Sequence, residues 1–152
     1  MWKIFSGLLL GWGLGSNDSA NIFGPAVAEK VIKYRAATIL IAIFVIIGAL
    51  NEGPKCMVTL GNLSQVKDNL QAFVILLSSA IVAIAIARIW GIPISTSQSV
   101  VGSILGSLLF RKMFNENIDL GNSLKSLYKI LICWVGTPIG GIIVGFLLYH
   151  IF

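Results

Sequence analysis

The chain is 152 residues long, 57% hydrophobic and only 11% charged, with a mean hydropathy of +0.92, whereas a soluble domain carries about 25% charged residues. These values exclude an ordinary soluble domain and describe an all-α membrane protein. The net charge of +5 is scattered singly or in pairs between apolar runs, as charges flanking membrane spans are, so the lipid bilayer is an expected partner and nucleic acid is not.

The first apolar run covers residues 2–15 and resumes over 20–28. It does not end at a small-residue cleavage site, so it reads as a span and not a signal peptide, with Met1 opening the mature chain. Within it lies "GSNDSANIFG", residues 15–24. Asp18 is the only acidic residue inside any apolar run; a charge at a helix centre costs about 2.5–3.5 kcal/mol on insertion scales and marks a functional candidate. Helical spacing brings Asn17, Asp18 and Asn21 to one face. Their oxygen acceptors and amide donors suit a small hard cation or a proton better than a soft metal. Gly11, Gly13 and Gly15 before the motif and Gly24-Pro25 after it predict a helix broken around a polar site. The simpler alternative is that Asp18 caps a helix starting near Ser19. The "GWGLGS" run lacks the third glycine and the βαβ setting of a dinucleotide-binding turn, which excludes that reading.

A second span is expected over residues 34–50, then an outer loop over 51–69 with a turn at Gly53-Pro54, and a third span over 70–87. Residues 89–110 can cross fully or dip in and return. A full crossing splits the lysines and arginines four to seven. A re-entrant hairpin places Lys30, Lys33, Arg35, Arg88, Arg111, Lys112, Lys125 and Lys129 on one face against Lys3, Lys55 and Lys67, eight to three. The clearer bias favours the hairpin, with both termini outside and residues 27–35 and 111–129 in the cytoplasm. An inner loop over 115–122 and a last span over 127–152 complete about four transmembrane helices plus one re-entrant helical hairpin, read as a single transmembrane domain over 1–152.

Glycines four apart at Gly7, Gly11 and Gly15, Gly102 and Gly106, Gly136 and Gly140, and Gly141 and Gly145 predict close helix packing. Cys56 and Cys133 read as unpaired thiols, and His150 as interfacial. The hairpin carries "GIPISTSQS", residues 91–99. Pro93 favours a chain break, and the hydroxyls behind it favour a helix start. A helix N-terminus ringed by Ser95, Thr96, Ser97 and Gln98 is an uncharged anion site; taken alone it is also an ordinary N-cap. No base–nucleophile pair or metal cluster points to an enzyme or a cofactor.

The chain resembles the inorganic phosphate transporter (PiT) family of membrane symporters. The likeness rests on "GSNDSANIFGPAVA" and "GIPISTSQSVVGSILG", and extends to "ATILIAIFVIIGAL" and "ICWVGTPIGGIIVGFLLYHIF". It implies one half of an inverted-repeat transporter, with the anion held at the hairpin tips and sodium or protons coupled nearby. Residue by residue, it implies anion binding by Ser95, Thr96, Ser97, Gln98 and Asn17, and cation binding by Asp18, Asn21 and Asn17. Val45 stands where the resemblance calls for a glutamate, and Gln98 where it calls for a histidine.

The expected function is therefore secondary transport of inorganic phosphate across an inner or plasma membrane, coupled to sodium or protons. A sulfate or other oxyanion permease, an anion channel, and a non-transporting half-subunit are the alternatives. Because the eight-to-three bias fixes one orientation, the expected partner is one of opposite orientation, either a complementary half-transporter chain or the remainder of a split or truncated gene, with a second copy of this chain as the alternative.

Overall fold

The computed structural model describes residues 2–114 and 117–151. They form α1 (Trp2–Ala28), α2 (Tyr34–Ser64), α3 (Asn69–Trp90), α4 (Thr96–Met113) and α5 (Leu120–Ile151). The chain divides into two compact units, residues 1–118 and 119–152.

In the first unit α1 runs unbroken through the polar turn and Pro25. The break expected around residues 17–21 is absent, and so is a helix capped by Asp18, which lies mid-helix. The polar side chains do not compete for the local N–H ladder: Ser16 Oγ donates to Gly13 O at 3.1 Å, while Asn17 and Asp18 reach partners on another segment. The helix ends after Pro25. Lys30 adopts φ 58°, its N–H donates to Val27 O at 3.1 Å and Val31 N–H donates to Ala26 O at 2.9 Å, the two bonds of a Schellman termination.

The loop expected over 51–69 is a further correction, because α2 continues through Pro54 to Ser64. Side chains around the proline bond within the same helix. Asn51 Nδ2 donates to Ile47 O at 3.0 Å, Lys55 pairs with Glu52 at 2.7 Å, and Thr59 Oγ1 donates to Lys55 O at 3.1 Å. The last turn is held by packing, with Leu63 fully buried. Gln65, at φ 46°, closes the helix, and the buried Arg111 of α4 donates to its carbonyl at 3.1 Å.

Asp68 caps α3 by accepting from Gln71 N–H at 2.7 Å, and Gln71 Oε1 accepts from Lys67 N–H at 3.0 Å. Ile75, Ser79, Ala80 and Ala83 form the buried stripe of α3; Thr96, Val100, Val101, Ile104, Leu108 and Arg111 form that of α4. Ser99 Oγ donates to Ser79 O at 2.9 Å, and the far end of α4 meets Gln65 just before α3, so the two helices run antiparallel. Residues 89–110 therefore do not form a hairpin by themselves. They supply one helix, whose opposite limb is the whole of α3. Gly91 ends α3 at φ 64°, a conformation that costs glycine little; Pro93 follows in the five-residue linker, and α4 then runs without a break to Met113.

Within the first unit the glycine stripes do not pack as expected. A Cβ built at Gly7, Gly11, Gly15, Gly102 or Gly106 meets nothing within 4 Å among the described residues. The close approach is at Gly13, off the stripe, where a Cβ would lie 3.2 Å from Ile84 Cγ1 of α3. Gly13→Leu is expected to destabilise the fold by about 1–3 kcal/mol through overpacking, whereas Gly11→Ala leaves it unchanged. Thermal unfolding of both variants in one detergent checks this; equal midpoints would contradict it.

In the second unit, helix α5 starts seven residues before the expected span. Asp119 Oδ1 accepts from Gly121 N–H at 3.0 Å and Asn122 N–H at 3.3 Å, so Asn122, expected in a loop, lies in the first turn. Asn115 of that loop lies outside the described residues. The helix passes Pro138, beside which Thr137 Oγ1 donates to Cys133 O at 2.7 Å. Cys56 and Cys133 are free and exposed.

Among the described residues, three helical stretches are long and apolar enough to cross a membrane: Tyr34–Ser64, Asn69–Trp90 and Gly121–Ile151. This is one fewer than the four crossings expected. The polar turn of α1 and the serine- and threonine-rich start of α4 lower the apolar character of those two helices. Exposed Ile39, Phe44, Ile46 and Leu50 on α2 give the outer surface the character that lipid requires.

Candidate functional site at the tip of a helical hairpin

The five residues between α3 and α4 meet α1 near its middle. Gly13 faces Ile84, and four residues further Asn17 faces Ile94, so α1 and α3 advance in the same direction. The hairpin tip arrives at the polar turn that hydropathy alone would not place in a membrane helix.

Asn17 forms a two-way clamp there. Its Nδ2 donates to Ile94 O, and Ile94 N–H donates back to Asn17 Oδ1 at 3.2 Å. A carboxamide is the side chain suited to this task, since it offers a donor and an acceptor side by side. The same Nδ2 donates to Asp18 Oδ1 at 2.8 Å. Thr96, only 2% exposed, donates from Oγ1 to that carboxylate oxygen at 3.5 Å. Asp18 itself is half-buried and has no cationic partner within ion-pair distance, the one salt bridge among the described residues being Lys55–Glu52.

Ser95 caps α4 through Gln98 N–H at 3.4 Å, and its hydroxyl lies 3.0 Å from that of Ser97. Ser97 and Gln98 are exposed. Helix geometry leaves the first-turn N–H groups without intrahelical acceptors, beside a carboxylate on one side and hydroxyls on the other.

A cleft of about 400 Å³ opens beside the clamp, lined on α1 by Gly13, Ser16, Asn17, Ala20 and Asn21 and on the hairpin by the end of α3 and Gly91, Ile92 and Pro93. The residues singled out from sequence thus divide. Asn17 and Asn21 face the cleft; Asp18 and Thr96 meet across the clamp; Ser95, Ser97 and Gln98 surround the start of α4 outside the cleft lining. Two participants escaped the sequence reading. The Ile94 backbone has no side-chain signature, and Arg88, counted there as a flanking charge, lines the cleft.

A model of the phosphate transporter family matches residues 14–152. A Chlamydia muridarum protein named "Putative phosphate permease" is 29% identical over 96% of this chain and 35% of its own length. A protein of the same description from Thermococcus kodakarensis is 26% identical over 96% of this chain and 36% of its own. The chloroplastic inorganic phosphate transporter 2-1 of Arabidopsis thaliana is 34% identical over 94% and 25%. The chain therefore spans about a quarter to a third of the length of these relatives. No solved structure matches it. The family match contains the Asn17–Asp18 turn, the hairpin and its tip, so the polar junction inside apolar helices lies within the shared sequence: this chain is an integral membrane protein belonging to the phosphate transporter family.

Proposed function

We propose that the chain is one repeat of a secondary transporter that moves inorganic phosphate across the cell membrane, coupled to sodium or protons. One observation carries this reading. In a member of the phosphate transporter family, an unpaired carboxylate lies within hydrogen-bonding reach of the threonine that begins a hairpin helix. Phosphate at neutral pH is an anion and is repelled by Asp18. A cation held by Asp18, with Asn17 and Asn21 as oxygen ligands, removes that repulsion and makes uptake of one ion depend on the other.

In this scheme the anion sits at the N-terminal end of α4, where Ser95, Thr96, Ser97 and Gln98 supply neutral donors that replace part of its hydration shell, while Asn17 holds the tip against α1 beside it. Rocking of two repeats about such a site gives alternating access. The second repeat is another copy of this chain, a complementary chain or a further part of the same polypeptide.

Ser95→Ala combined with Thr96→Ala is expected to raise the apparent Km for phosphate about tenfold, through loss of two hydroxyl donors worth about 1 kcal/mol each at most. An unchanged Km would remove the hairpin tip from the anion site. The reading as a whole is tested by labelled phosphate uptake into vesicles carrying the purified chain, with imposed sodium or proton gradients. Gradient-driven accumulation is expected; flux indifferent to both gradients would replace the symporter with a channel.

A further inference from the structure

The cleft beside the Asn17–Ile94 clamp has a charge pattern of its own. Among the described residues, Arg88 is the only charged one that lines it, and no carboxylate does. Asp18 is one residue from Asn17 in sequence but lies outside the lining, with its Oδ1 occupied by Asn17 and Thr96. Both hydrogens of the Asn17 amide are engaged, by Ile94 and Asp18, and Ser16 donates to Gly13. The cleft's uncommitted side-chain donors are therefore the Arg88 guanidinium and the Asn21 amide. Its volume of about 400 Å³ falls within the roughly 300–1,000 Å³ of small-molecule sites.

We infer that this cleft is an anion-capture subsite in which Arg88 draws a tetrahedral oxyanion toward the hairpin tip before the anion passes to the neutral donors of α4. The inference rests on the transport reading above and assigns to Arg88 a part that reading does not contain. A guanidinium presents five donors in a planar fork that fits two oxygens of an oxyanion. Arg88 is exposed, so its attraction is screened by salt and releases the anion readily. Binding at the tip needs no permanent positive charge, whereas capture from dilute solution benefits from one. Arg88 also stands in the last turn of α3, where any cation complements the helix dipole; that contribution survives in a lysine variant and does not depend on an anion.

The test uses the full purified chain in lipid nanodiscs. An arginine-specific dicarbonyl reagent is applied with and without phosphate or sulfate, and modification of Arg88 and of exposed Arg35 is followed by mass spectrometry. Protection of Arg88 and not of Arg35 is expected, fading as salt rises. In parallel, Arg88→Gln is expected to weaken phosphate binding about tenfold at low salt and to flatten its salt dependence, while Arg88→Lys keeps the salt dependence but, without the two-oxygen fork, binds several-fold more weakly than wild type. Absence of protection by either anion overturns the inference; if gradient-driven uptake persists in that case, the transport reading stands without it. Protection by sulfate alone keeps the capture subsite and overturns phosphate as the substrate. Unaltered binding in Arg88→Gln also overturns the inference.

Discussion

Asn17→Asp is expected to reduce phosphate uptake about a hundredfold while leaving the helices intact. The substitution is nearly isosteric, so packing against the hairpin is preserved, but it replaces the amide that donates to Ile94 O with a carboxylate oxygen facing that carbonyl. One hydrogen bond becomes an electrostatic repulsion, and the bond to Asp18 becomes a contact between two like charges. A polar group left unpaired in a part-buried site costs about 1–3 kcal/mol, and here two donor bonds fail together. The hairpin tip separates from α1, and the carboxylate, the threonine and the first turn of α4 no longer share one site. Asn17→Ala removes the same bonds without adding charge and should retain several times more activity than the aspartate variant. Uptake assays paired with circular dichroism check both. Near-normal uptake by Asn17→Asp would show that the clamp is not needed for function.

The second large effect is expected at Asp18. In Asp18→Asn the carboxamide oxygen can still accept from Asn17 and Thr96, so the geometry of the junction is kept while the charge is removed. Uptake driven by a sodium or proton gradient should fall at least about a hundredfold, because a neutral group no longer offsets the coupling cation or carries its proton. The residual flux should be equal with and without a gradient. Gradient-driven uptake persisting in the variant would move the coupling site elsewhere.

Much of this architecture is legible in the sequence, and the parts that are not have identifiable physical causes. The cost of a carboxylate in an apolar run singles out Asp18, and Pro93 followed by hydroxyls locates the start of α4 at Ser95 and Thr96. Helical spacing puts Asn17 and Asn21 on a common face, and both line the cleft. Proline and glycine mislead where side chains and packing compensate for the backbone: α1 passes Pro25 and α2 passes Gly53-Pro54 without a break. Period-four glycines report on space beside a helix only when another helix fills it, and here the tight contact is at Gly13. The Asn17–Ile94 clamp joins residues 77 apart through a backbone group that every sequence contains. Arg88 is indistinguishable in sequence from a charge that merely ends a span, since only the approach of α1 turns it toward a cleft.

We propose that one junction, formed by Asn17, Asp18 and the tip of the α3–α4 hairpin, binds phosphate and its coupling cation together. Equilibrium binding of labelled phosphate to the purified chain, titrated against sodium concentration and against pH, tests it most directly when wild type and Asp18→Asn are compared. Wild-type affinity is expected to rise about tenfold or more with one of the two cations and the variant's affinity to respond to neither. Wild-type affinity that ignores both cations, or a variant that keeps the same dependence, would contradict it.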